Sequence, residues 1–325
     1  MGHHYNHLSH QERTLIFYWI KDKVSIREMA RRLRRSHTTV SRELRRNQWP
    51  SSYGYIPRGA QIMYQWKLEQ RAKRYRLKHP FIRKYVGEKL RIGWTPELIS
   101  GRLKQTNPDH YICHESIYQY IYIQAPELIK YLPRKHAKRR IKRPYRTKKY
   151  RISDRVSIDQ RPIEADTRTH CGHWESDTIV SSDRQSGLNV IVERKTRLTH
   201  ISFMENKTAQ LTHHALVKRL KHHPSAFKKS ITYDNGSENT QHKKTNAKLN
   251  LASYFCAPYH SWEKGSVEQI NGLIRRFFPK GTCFRLLSHA EINQVEKLLN
   301  NRPRKCLGFR TPYEVFRDEV GALAG

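Results

Sequence analysis

The pattern of apolar residues changes character near Thr169, and that change divides the chain between two kinds of architecture. Before it, apolar residues recur at helical spacing behind helix-capping signals. After it, they come in short β-branched runs. His173–Val180 reads as a strand carrying an acid, and Leu188–Glu193 and Leu198–Met204 as two more strands. Thr208–Lys221 follows as an amphipathic helix. Ile231–Asp234 is a short strand ending in an acid and an Asn-Gly turn, Ala252–Ala257 is a further strand, and Val267–Phe277 is a helix. Three strands in succession and then alternating elements predict a mixed sheet flanked by helices. With 325 residues the chain has room for two or three domains.

The helical half opens on Ser9-His-Gln-Glu12, a capping box that starts a helix to about Lys21 with Leu15, Ile16 and Trp19 on one face. Ser25-Ile-Arg-Glu28 repeats the signal for a short helix to about Leu33. A tight turn over Arg34–His37 leads into a third helix with Val40 and Leu44 inward. Three short helices with such a turn make a helix-turn-helix. In that motif the last helix enters the major groove of DNA, here presenting His37, Thr38, Thr39, Arg42, Arg45 and Arg46. A second unit follows: a helix over 79–92, then Thr95-Pro96-Glu97 as cap, first-turn proline and first-turn acid, with Leu98, Ile99 and Leu103 inward. Glu115–Ile123 completes it. Its tip is less basic, so a second DNA-reading motif and a helical spacer remain equally open.

Charge reinforces the division. Lys and Arg number 63 against 28 Asp and Glu, a net +35, which implies a polyanion partner. Residues 1–160 hold 37 of the basic residues and 12 of the acids; residues 161–325 hold 26 and 16. The segment Arg134–Arg151 carries eleven basic residues and no acid, so it is expected to run as an extended linker along DNA through Arg139, Arg140, Lys142 and Arg143. The expected domains are 1–50, 51–128, a linker over 129–168, and a catalytic unit over 169–325.

In the second half three acids stand out. Asp177 sits in a mostly apolar strand, Asp234 ends another, and Glu268 lies near the start of a helix. An acid in apolar surroundings carries a desolvation cost that a metal ion offsets. Three carboxylates can hold two Mg²⁺ or Mn²⁺ ions and cut a phosphodiester. On spacing alone, Glu175, Asp183, Glu193, Glu238 and Glu263 compete for the same role.

GHWESDTIV, VERKTR, TYDNGSEN, YFCAPYHSWEKGSVEQINGLIRRFFPKGT and LNNRPRKCLGFRTPYEVF resemble, block by block, the DDE transposases of bacterial insertion sequences, most of all the IS-thirty family. LSHQER, IREMARRL, TTVSREL, WTPELISGRL and ESIYQYIY match the DNA-binding region of that family. The resemblance implies a multidomain protein, with all-α helix-turn-helix modules ahead of an α/β RNase H-like (integrase) core built on a mixed five-stranded sheet. It implies a catalytic, metal-binding triad of Asp177, Asp234 and Glu268, double-stranded DNA as substrate (terminal inverted repeats and target), and a homo-oligomer on paired ends. Ser176 stands where the family often has Gly, and Val267-Glu268-Gln269 replaces its Asn-Glu-Asn. A silent DNA-binding regulator and a hydrolysis-only nuclease are the alternatives.

Lys264, Arg275, Arg276 and Lys280 surround the Glu268 helix and are expected to clamp the DNA backbone; Asn235 and Asn271 are candidates for orienting the acids. His170, Cys171, His173, Cys256 and His260 lack zinc-ligand spacing, so neither zinc nor an organic cofactor is expected. Five scattered cysteines read as reduced thiols. Without a signal peptide or an apolar run of about 18 residues, a bacterial cytoplasmic, nucleoid-associated protein away from membranes is expected.

Overall fold

A computed structural model describes residues 7–47, 54–72, 77–133, 152–257 and 261–324. The basic segment with Arg139, Arg140, Lys142 and Arg143 lies outside them. The chain divides after Arg76 into two units.

The first unit begins with α1 (His10–Lys21), α2 (Ile26–Arg32) and α3 (His37–Asn47). The box at Ser9 forms as expected: Ser9 Oγ accepts the Glu12 N–H at 3.1 Å, and the Glu12 carboxylate accepts the Ser9 N–H at 2.7 Å. At Ser25 only half of it forms, because Glu28 turns instead to Arg31 and Arg32. Ile16, Met29, Ala30 and Val40 make the core, while Leu15 faces solvent. Its place is taken by Arg13, which is buried and donates to Glu43 at 2.7 Å, to the Leu8 carbonyl at 2.6 Å and to Gln61. That network ties α1 to α3 and to α4 (Pro57–Ala72), whose Ala60 joins the same core beside Tyr55. Residues 54–72 therefore pack with the helix-turn-helix, whereas the expected division fell after residue 50.

The second unit starts with α5 (Pro80–Arg91), α6 (Pro96–Thr106) and α7 (His114–Ile123), closed around Val86, Leu90, Ile99, Leu103, Ile117 and Ile121. Thr95 caps α6 through the Leu98 N–H. This helical module is docked on the catalytic part. Arg102 of α6 pairs with Glu314, and at Gly101 any Cβ would overlap the Phe309 ring.

The catalytic part runs α8 (Ile163–Thr167), β1 (His173–Val180), β2 (Gly187–Glu193), β3 (Thr199–Met204), α9 (Ala209–Leu220), β4 (Ser230–Tyr233), α10 (His242–Leu249), β5 (Ala252–Phe255), α11 (Gly265–Phe277), α12 (His289–Asn300) and α13 (Pro312–Ala324). Residues 152–168, expected as linker, belong to it: Ile152 packs on its core and the Arg161 guanidinium donates to Thr232 at 3.0 Å. The five strands form one mixed sheet, ordered β3-β2-β1-β4-β5. β1, β2 and β3 are antiparallel neighbours; β4 runs parallel to β1, and β5 to β4. Side chains alternate across a sheet, so each face has its own core. Val267, Ile270, Ile274 and Leu299 cover Ile179, Leu188, Val190 and Val192 on one face. Leu216, Leu220 and Leu249 cover Trp174, Ile191 and Ile231 on the other. Among the described residues no helix is long and apolar enough to cross a membrane.

Candidate active site

β1 and β4 pair in the register Glu175 to Thr232. Two residues further on, the same register sets Asp177 alongside Asp234, where pairing has stopped and the strand ends open. Asp177 shares its face of β1 with Glu175 and Ile179, the face that α11 covers. Asn271 of α11 donates to Asp177 Oδ2 at 2.6 Å. Asp234 is held by its own turn: its Oδ1 accepts the Gly236 N–H at 3.0 Å and the Asn239 amide at 2.9 Å. Of the two asparagines expected to orient acids, Asn271 does so. Asn235 instead donates to the Cys256 carbonyl.

Between the two aspartates stands Lys264, the residue just before α11. Its ammonium lies 3.1 Å from Asp177 Oδ1 and 3.5 Å from Asp234 Oδ2, and donates to the Ser176 carbonyl at 3.0 Å. The side chain is 4% exposed. Burial alone would lower its pKa, but Asp234 and Asp177 outweigh burial and raise it. Lys264 therefore stands as a buried cation neutralising a carboxylate pair, not as the surface clamp expected from its sequence position.

Glu268 is exposed on the first turn of α11 and has no hydrogen bond or ion pair among the described residues. The structure thus brings Asp177 and Asp234 together around Lys264, while Glu268 sits one helical turn before Asn271, which holds Asp177. Among the described residues no three His, Cys, Asp or Glu side chains are gathered tightly enough to hold a metal ion.

Four of the five competing acids have structural tasks. Glu175 is fully buried, paired with Arg194, and accepts the Val267 N–H at 2.8 Å. Glu193 accepts from Gly172 and Thr196. Asp183 holds the Ser186 turn, which lowers its pKa to about 2. Glu263 accepts the Ala257 N–H. Glu238 remains, half-buried near Asp234. Burial, and then the charges of Asp234 and Asp177, raise its pKa.

The expected clamps on α11 also have partners. Arg275 donates to the Val180 carbonyl at 2.8 Å and lies over the Phe284 ring. Arg276 donates to the carbonyls of Gly93 at 3.0 Å and Tyr131 at 2.9 Å, fixing the helical module to the core. Both sit where neighbouring segments present backbone acceptors, which the helical spacing of α11 does not reveal. Lys280 is exposed. In the first unit, His37, Thr38, Arg42, Arg45 and Arg46 are exposed along α3 and Thr39 is half-buried.

A helix-turn-helix ahead of a mixed sheet, with one aspartate within β1 beside another just past the end of β4, defines a DNA-binding enzyme with an integrase-type core. Residues 4–47 match the helix-turn-helix domain family and residues 169–261 the integrase core domain family. Transposase InsI for insertion sequence element IS30A, from Escherichia coli strain K12, is 34% identical over 97% of this chain and 84% of its own length. The transposase for insertion sequence element IS1086 of Cupriavidus metallidurans is 33% identical over 96% of this chain and 94% of its own. The chain belongs to this IS30 family of insertion-sequence transposases, enzymes that bind and transpose DNA. Among solved structures, the catalytic core domain of BIV integrase covers 47% of this chain and 99% of its own, at 17% identity and a TM-score of 0.38.

Proposed function

We propose that Asp177, Asp234 and Glu268 form the catalytic triad of this transposase, holding two Mg²⁺ or Mn²⁺ ions. The reading rests above all on the Lys264 ammonium, a buried cation between Asp177 and Asp234 that stands in for a metal charge. The donors suit a hard divalent ion, since all are carboxylate oxygens. A buried atom with no hydrogen-bond partner, Asn271 Oδ1, adds a neutral oxygen beside Asp177. When bound, such ions polarise the phosphodiester and activate the attacking water or 3′-hydroxyl.

The chain's own groups then divide the work. Asn271 and Asn239 orient the two aspartates, and Lys264 offsets their mutual repulsion. Glu268, one helical turn before Asn271 on α11, supplies the third carboxylate. The exposed side chains of α3 bind the terminal inverted repeats, and a homo-oligomer pairs the two ends. Cleavage at each 3′ end is followed by attack of that 3′-hydroxyl on target DNA; both steps are in-line displacements at phosphorus.

The test is purified protein with duplexes carrying the element's own ends and Mg²⁺, resolved on a sequencing gel, with pre-cleaved ends as the strand-transfer arm. Asp177→Asn, Asp234→Asn and Glu268→Gln should each abolish cutting while end binding persists. Near wild-type cutting by one of them would remove that acid from the triad. Glu238 would then take its place. Cleavage without joining of pre-cleaved ends would reduce the activity to a nuclease.

A further inference from the structure

The motif Asn300–Phe309 has no part in the proposed chemistry, yet it supplies three of the five basic side chains that line one groove of the second unit. A groove enclosing about 720 Å³ opens between the first turns of α6 and α11 and the loop after α12. Arg168, Arg197, Arg302, Arg304 and Lys305 line it. None of the five has an ion-pair partner among the described residues. The one acid on its wall, Glu97, accepts from Tyr118 at 2.9 Å.

Three of these cations are deeply buried: Arg197 and Arg302 are each 8% exposed and Arg304 is 7% exposed. Arg302 is steadied by the Gly93 carbonyl at 3.2 Å and Arg304 by the Leu299 carbonyl at 3.0 Å, while Arg304 Nε has no partner at all. Burial, and then neighbouring arginines, lower the pKa of Arg302 to about 9. Burial is also the main reason that of Arg304 falls to about 10. Arg197 donates to Ser266. Both Arg168 and Arg197 hold left-handed backbone conformations, with φ of 57° and 63°, where glycine would fit with less strain. Uncompensated buried cations are costly without an anion, and forked guanidinium donors match phosphate oxygens in pairs. Ser266 and Gln269 of α11 line the same groove, and Glu268 lies between them in sequence.

We propose that this groove binds the phosphodiester backbone of the DNA strand as it passes the Glu268 side of the active site. The inference rests on the triad assignment only for its direction; the binding itself needs no cutting. The five cations would hold successive phosphates, whereas α3 reads sequence.

Cys306 lines the groove and is exposed, which gives a direct readout. In full-length Cys113→Ser protein, maleimide labelling of Cys306 should slow at least five-fold with saturating end duplex. It should not slow with millimolar inorganic phosphate. Arg168→Gln/Lys305→Gln, at two exposed positions, should abolish protection without lowering unfolding stability. The same pair should lower the slope of log affinity against log salt by about 2, near 0.9 for each phosphate no longer neutralised. Unchanged labelling of Cys306 under saturating DNA overturns the proposal. Protection by phosphate alone overturns it too, reducing the groove to a small-anion site. Protection that persists in uncut complexes of Asp177→Asn supports it. If protection fails while cleavage stays normal, the groove alone is wrong; if protection holds while cleavage ignores the triad substitutions, the triad alone is wrong.

Discussion

The Glu175 carboxylate accepts the Val267 N–H at 2.8 Å, tying the first turn of α11 to β1 two residues before Asp177. The same carboxylate pairs with the buried Arg194 guanidinium. One acid thus fixes the helix that carries Glu268 and Asn271 against the strand that carries Asp177. Removing one member of a buried ion pair costs up to about 3–5 kcal/mol, and without Glu175 the Arg194 guanidinium would keep, among the described residues, only the longer ion-pair contact to Asp166 at 3.5 Å. Glu175→Gln should therefore lower unfolding stability by about that much in a urea titration. Asp177→Asn, at a half-buried position open to the site, should shift the same titration far less while removing cleavage. Equal stabilities for the two variants would show that Glu175 does not anchor α11.

Arg276 gives a second separation of roles. Its two donations, to Gly93 and Tyr131, each resemble a hydrogen bond to a charged group, worth about 1.5–3 kcal/mol. Arg276→Ala should speed amide hydrogen exchange across α5 to α7 without changing the salt dependence of DNA binding. A flattened salt slope with unchanged exchange would restore Arg276 as a phosphate clamp.

Much of this was legible in the sequence, and the failures share a cause. The strand that carries Asp177 and the strand that ends at Asp234 follow from local patterning, and so do the caps at Ser9 and Thr95. Lys264, Arg275 and Arg276 occupy basic positions on or beside one helix, and spacing along that helix places them on a solvated face. What decides their roles comes from elsewhere: the Asp177 and Asp234 carboxylates, the Val180 carbonyl, and the docked helical module. Arg13 is the same case, since its burial depends on Glu43 and Gln61, 30 and 48 residues away. Asn239 carries no signal in the sequence, because its partner is a turn that only the folded backbone creates.

The histidines predict how the fold responds to acid. His223 packs among Trp174, His200 and Phe316. Burial, then the neighbouring charges of His200, Lys228 and His222, lower its pKa to about 4. Burial also lowers that of His173, despite the Glu164 carboxylate beside it. A histidine whose folded pKa is depressed binds its proton first in the unfolded chain. Stability should therefore be full above about pH 6.5 and fall as the pH drops from there towards 4. Chemical denaturation at a series of pH values should show this loss, and His223→Gln should flatten it. A wild-type curve level across that window would contradict the buried neutral state.

On α3, Val40 faces the core and Arg42 faces solvent, so Arg42 is free to meet a base edge. Arg31, also exposed, is instead engaged by Glu28 at 2.8 Å on α2. Arg42→Ala should reduce the preference for terminal-repeat over random duplex by about 1–3 kcal/mol if it reads a base. Arg31→Ala should leave that preference unchanged. Competition binding at fixed salt separates the cases, since a phosphate contact weakens both duplexes alike and a base contact weakens only the cognate one. Equal weakening by Arg42→Ala would move sequence reading to Thr38, Arg45 or Arg46, because the helix would still enter the groove but through different side chains.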